Sequence, residues 1–186
     1  MLTLASVWLP IVLSTVAIFI ASSLIWMVLP WHQSEWRGTG GKEEGARNAL
    51  RGLTPGQYHL PHPATRAEMR TPEFQRKMNE GPMAFLTVLP NGMPNMGRQM
   101  GTWVALIVFL MIVVAYVATR TLGPGTDYLE VFRIVGTTSW LAFGAASLQE
   151  AVWFGRPWRN VLTLNLDALI YALLAAGIFG SMWPGS

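Results

Sequence analysis

Residues 102–119 read TWVALIVFLMIVVAYVAT. The run is uncharged, rich in β-branched residues and closed by Arg120. About 20 apolar residues suffice to cross the hydrocarbon core of a bilayer, so this stretch predicts a transmembrane helix and with it a membrane fold. Leu122-Gly123-Pro124-Gly125 follows, and its glycines and proline end the helix in a short turn.

Downstream of that turn the pattern repeats twice. A third span is expected from Tyr128 to Phe154, with Glu130 and Arg133 at one end, Gln149 and Glu150 at the other, and no ionisable residue from Ile134 to Leu148. Gly155-Arg156-Pro157-Trp158 supplies the next turn. A fourth span runs from Val161 to Trp183, with Pro184-Gly185-Ser186 as its stop. Upstream, residues 4–31 form the first span, LASVWLPIVLSTVAIFIASSLIWMVLPW, closed by Pro30. The small residues Ala21-Ser22-Ser23 make a cleaved signal peptide the competing reading. The run is longer than the usual ~7–15 apolar residues and has no basic stretch before it, which favours a retained helix.

The expected fold class is therefore membrane all-α: a four-transmembrane-helix bundle with a small α/β cytoplasmic insertion between helices 1 and 2. Residues 1–31 are transmembrane helix 1, 32–100 the insertion and 101–186 a three-helix segment. Composition agrees: 52% of the residues are hydrophobic and only 12% charged, roughly half the charged fraction of a soluble domain. The chain has no cysteine, which excludes disulfides, thiolate metal sites and covalent c-type haem.

Orientation follows from Lys and Arg. The first loop holds Arg37, Lys42, Arg47, Arg51, Arg66, Arg70, Arg76, Lys77 and Arg98, and the third holds Arg156 and Arg159. Only Arg120 and Arg133 belong to the opposite side. The asymmetry predicts a cytoplasmic insertion with both termini on the outer side. Nucleic acid is not an expected partner. The basic residues of the insertion share it with six acids, and Trp36, Tyr58, Phe74 and Phe85 do not alternate with them as a stacking groove requires.

Within the insertion, Gly38-Thr39-Gly40-Gly41 lacks the residues of a phosphate-binding loop and reads as a linker. Lys42–Leu50 reads as a short helix and Gly56–Leu60 as a strand. Thr71-Pro72-Glu73 opens a second helix with a capping hydroxyl, proline in the first turn and an acid beside it. It ends at Gly81, and Ala84–Leu89 is a second strand. A segment this small buries little apolar surface alone, so Phe74, Met78, Phe85, Leu86 and Val88 are expected to pack together, on a membrane surface or on a partner.

The stretches PGQYHLP (55–61), TPEFQRKMNEGP (71–82), PNMG (94–97), GRPW (155–158) and DALIYALLAAGIFG (167–180) resemble a group of small, functionally uncharacterised bacterial inner-membrane proteins with one span, a cytoplasmic insertion and three further spans. The resemblance covers much of the chain. It implies an architecture and a bacterial inner (cytoplasmic) membrane, in which the outer termini are periplasmic, and transfers no functional residue.

Candidate chemistry is sparse. The three histidines are His32, at the edge of the first span, and His59 and His62 in the insertion. A haem held by two histidines inside the bundle is excluded, and no cofactor or metal is expected. Asp167 lies inside the fourth span, where an ionised side chain costs roughly 2.5–3.5 kcal/mol at mid-depth. Glu150 should lie at a similar height, with Arg156 and Arg159 in the intervening turn. The expected arrangement is an interfacial polar network of Asp167, Glu150, Arg156 and Arg159 fastening a helical hairpin, with Asp167 bonded to Asn165, Arg159 or the third span. Its alternative is a proton or cation site. Glu130 and Arg133, three residues apart, read as a local pair on the other side. Ala168, Ala172, Ala176 and Gly180 form a small-residue stripe that faces Gly136, Ala142 and Ala146 of the third span, because small residues let helices approach closely in lipid.

These features predict a non-catalytic accessory, assembly or scaffold subunit of a larger membrane complex, meeting the lipid bilayer and either other subunits or copies of itself. The alternative is a small proton- or cation-conducting transporter that uses its intramembrane carboxylates as an oligomer. A membrane enzyme ranks last, since no nucleophile–base constellation is present.

Overall fold

The computed structural model describes residues 2–185; Met1 and Ser186, the latter read above as part of the final stop, lie outside them. The chain is mostly helical and divides into two compact units. One joins the chain up to Arg37 with the chain from Asn95 onward, and the other is Gly38–Pro94.

The first unit is built from four helices, each long and apolar enough to cross a membrane. A 3-10 turn, Leu4–Val7, leads into α1, Trp8–Met27. Three more long helices complete the unit: Met96–Thr121, Tyr128–Phe154 and Trp158–Ser181, designated α4, α5 and α6 because two short helices intervene. Asn95 caps α4, its side chain accepting from Arg98 N at 3.0 Å, so this helix starts several residues before the expected Thr102. At the end of α5, Gly155 takes the left-handed conformation (φ 67°) that a Cβ disfavours. Pro157 follows and α6 begins.

Around the bundle the order is α1, α4, α5, α6, each helix packing on the next and α6 closing against α1. The interior is apolar, with Ile18 and Ile25 of α1, Ile107 and Met111 of α4, Val131 and Val135 of α5, and Ala175 and Phe179 of α6. The outward faces are apolar too: Val12, Val16, Ile20, Phe109, Leu141 and Leu173 are exposed. Helices hydrophobic on all sides suit a lipid surround, where the outer face has no reason to be polar.

Helix α6 packs most extensively on α5. Ala168, Ala172, Ala176 and Gly180 are all buried. A Cβ placed on Gly136 would sit 3.4 Å from the Ala176 Cβ. Ala142 is half-buried, but Ala146 is exposed and Gly144 takes its place in the interface. The reason is helical geometry: the buried face of α5 follows Val131, Val135 and Ser139, and a row of every fourth residue drifts roughly 40° per step. By the C-terminal half the interface has moved round to Gly144 and Ser147.

The second unit contains the two short helices, α2 (Glu43–Leu50) and α3 (Pro72–Glu80), and two antiparallel strands, β1 (Gly56–Leu60) and β2 (Ala84–Val88), paired Tyr58 to Leu86 at the centre. Thr71 caps α3 as its sequence indicates, accepting from Phe74 N at 3.2 Å. On α3, Lys77 bonds Glu73 at 2.9 Å and holds its carboxyl below the ordinary value of 4.5. Phe74 is the only buried large apolar side chain among the described residues of this unit, while Met69, Met83, Leu89 and Met93 are exposed.

A buried acid–histidine–acid chain

Pro30 ends the first span by opening a 3-10 turn, Pro30–Glu35. The turn is part of the helical unit rather than of Gly38–Pro94, so the expected boundary of the insertion at residue 32 falls inside it. With three residues per turn, positions i and i+3 eclipse. This sets Glu35 beneath His32, and Glu35 Oε1 lies 2.8 Å from His32 Nδ1. The other ring nitrogen, Nε2, lies 2.9 Å from Asp167 Oδ2. The histidine is 4% exposed and Asp167 2%.

Each element contributes to this placement. Alternation of direction through the bundle sets the end of α1 beside the start of α6. Asp167 is nine residues after Trp158, roughly 14 Å along the axis at 1.5 Å per residue. Thr163, one turn earlier on the same face, donates its hydroxyl to Glu35 Oε1. The 3-10 turn is thus fixed to α6 at two levels. Trp26, on the last turn of α1, stacks on the His32 ring with centroids 4.0 Å apart and planes 5° from parallel. Trp31 meets the same ring edge-on at 6.3 Å.

Two hydrogen bonds through one imidazole require two protons. Either His32 is an imidazolium donating to two carboxylates, or it is neutral and accepts from one carboxylic acid while donating to the other group. Both states carry one net negative charge and differ only in where the protons sit along the chain. A proton added at one end can therefore be passed to the other by short shifts within the hydrogen bonds. One further acceptor is left over: Asp167 Oδ1 is buried without a hydrogen-bond partner, as is the Nε1 donor of Trp31. The Trp31 indole approaches the Asp167 carboxylate without closing a hydrogen bond.

Asp167 thus takes its partner from the far end of the sequence, not from Asn165, Arg159 or α5. Asn165 instead donates to Ser147 Oγ and to Val161 O, both at 2.9 Å, and ties α6 to α5. Glu150 is bonded by Arg156 across the α5–α6 turn. That pair is partly exposed, and such pairs contribute about 0–1 kcal/mol. Among the described residues Arg159, Glu130 and Arg133 join no ion pair, and all three are exposed. Their positions explain this: they sit on outward faces at the helix ends, where solvent or headgroups reach them. In the second unit His59 stacks on Phe85, with ring centroids 4.6 Å apart.

His32 and Glu35 are site residues that the local sequence pattern does not assign to Asp167. A signal was present: a carboxylate inside a span needs a partner, and His32 is the only histidine adjoining one. Comparison of the chain with protein-family models, with curated proteins and with solved structures finds no match.

Proposed function

We propose that the protein is a small multi-pass membrane component that exchanges protons or cations through Glu35, His32 and Asp167, without covalent chemistry. The observation carrying this reading is the buried chain of three titratable groups joined by two hydrogen bonds. Buried ionic groups are poor fasteners: replacing them by packed apolar residues is often neutral or stabilising. Three of them on neighbouring elements of an otherwise apolar bundle favour use over mere fastening, as intramembrane ionisable groups generally do. Four helices leave little room for a complete pathway, so self-association is part of the proposal.

The test is flux. In liposomes carrying a pH-sensitive dye, the wild-type protein should dissipate an imposed proton gradient faster than Asp167→Asn does. Equal rates would rule out exchange through this chain.

A second reading, an accessory or scaffold subunit of a larger complex, is favoured by the Gly38–Pro94 unit. Its exposed Met69, Met83, Leu89 and Met93 suit contact with a partner subunit. Native-gel and mass-spectrometric identification of stably co-purifying subunits would support it, and a bare homo-oligomer would count against it.

For orientation, the Lys/Arg asymmetry supports residues 32–100 inside and both ends of the chain outside, and the resemblance to bacterial inner-membrane proteins supports a bacterial cytoplasmic membrane. Because the chain has no cysteine, single-cysteine labelling is unambiguous. With an impermeant thiol reagent on intact cells, Asp127→Cys should react and Asn91→Cys should not. The reverse pattern would invert the topology.

A further inference from the structure

A cavity of about 630 Å³ lies among α1, α4, α5 and α6, within the size range of small-molecule sites. Phe19, Trp26, Trp103, Phe143 and Tyr171 give its wall extensive aromatic surface. Among the described residues that line it, Asp167 is the only Asp, Glu, Lys, Arg or His.

Three observations select an occupant. The Glu35–His32–Asp167 chain carries one net negative charge when its two hydrogen bonds are made, and no basic side chain in the wall balances it. Asp167 Oδ1 is a buried acceptor, and the Trp31 indole that approaches the carboxylate closes no hydrogen bond to it, so a donor is still called for. Aromatic faces attract cations, the more so where water is excluded. We infer that this cavity binds a lipophilic amine, its apolar body among the aromatic side chains and its protonated amine against Asp167. An alcohol would satisfy the acceptor and leave the charge. A phosphate headgroup would meet no cationic side chain in the wall, and a carboxylate would be repelled.

The inference rests on the proposed cation-exchange reading and names its substrate class. Its test uses binding, which does not depend on flux. The full chain in phosphatidylcholine nanodiscs is titrated with 4-phenylbutylamine and with the near-isosteric neutral 4-phenylbutanol, with empty nanodiscs as baseline. Cavity tryptophan fluorescence and calorimetry give the affinities. The amine should bind about tenfold or more tighter than the alcohol, the usual scale of a charge-assisted hydrogen bond. Asp167→Asn should abolish that preference while leaving alcohol affinity within about threefold. Ser23→Phe, at a lining position on α1 that is not one of the three hydrogen-bonded groups, should weaken both ligands by about tenfold.

Equal affinity for amine and alcohol in the wild type would overturn the inference and identify a groove for acyl chains only. So would an amine preference that survives in Asp167→Asn. If that variant does not fold, Ser23→Phe decides, since unchanged amine affinity there would place the amine elsewhere. Amine binding without proton flux, whether or not the amine is present, would support this site and remove the exchange reading. Flux without amine binding would overturn this inference alone.

Discussion

Asp167→Leu should destabilise the protein by about 3–5 kcal/mol, the scale on which removing one partner strands a buried charge. Leucine matches the volume roughly but offers His32 Nε2 nothing to bond. The imidazole is then held between Trp26 and a hydrocarbon wall with one nitrogen unsatisfied, and Glu35 keeps a charge with less to balance it. Because the 3-10 turn at Pro30–Glu35 is anchored on α6 through Asp167 and Thr163, half of that anchorage goes with the substitution. Asp167→Asn should be far milder, losing about 1 kcal/mol. Its side-chain oxygen accepts from the Nε2–H of a neutral His32, while a protonated Glu35 donates to Nδ1, so both hydrogen bonds persist and the net charge falls to zero. Denaturant unfolding of the purified variants in detergent measures both. Equal stabilities of the leucine and asparagine variants would show that the hydrogen bond to His32 contributes nothing.

Ala176→Leu should impair assembly severely, with lower yield and a lower Tm, at a cost of at least about 1–3 kcal/mol for overpacking. At this height α5 and α6 are separated by little more than Gly136 and Ala176 themselves, since a Cβ on Gly136 would lie 3.4 Å from the Ala176 Cβ. An isobutyl group must push the helices apart. In lipid no hydrophobic gain offsets the lost contact, because the surrounding tails are as apolar as the side chain. Gly144→Leu should behave likewise. Even a Cβ there would come within 2.7 Å of Asn165 Oδ1 and 3.2 Å of the Ala168 Cβ, displacing the amide that bonds Ser147. Leu173→Ala is the control, for Leu173 is exposed on the outer face, and it should melt close to wild type. Similar melting curves for Ala176→Leu and Leu173→Ala would contradict a close-packed interface.

Much of the fold is legible in the sequence because its signals are local. Long uncharged runs, Gly–Pro turns and the Thr71-Pro72-Glu73 cap each determine an element without reference to the rest of the chain. The two strands, Gly56–Leu60 and Ala84–Val88, fall where turn residues bracket short β-prone runs. The candidate site is less legible, because its decisive bond joins residues 135 positions apart. Sequence proximity pointed Asp167 toward Arg159 and Asn165, its neighbours on α6. Asn165 instead bonds Ser147 on α5, Arg159 is exposed, and only the order of helices around the bundle brings α1 beside α6. The position of Ala146 illustrates the same limit. A row of small residues on α5 is visible in the sequence, but which part of it faces α6 depends on where the helices touch.

A double-mutant cycle between His32 and Asp167 tests the central claim most directly. Unfolding free energies are measured for His32→Ala, Asp167→Leu and their combination, with a parallel cycle pairing Arg159→Ala with Asp167→Leu. The expected coupling between His32 and Asp167 is about 1–3 kcal/mol, as for residues sharing one hydrogen-bond network, and that between Arg159 and Asp167 lies within about 0.5 kcal/mol of zero. Additive effects at His32 and Asp167, with coupling at Arg159 instead, would contradict the buried chain and restore a local ion pair at the head of α6.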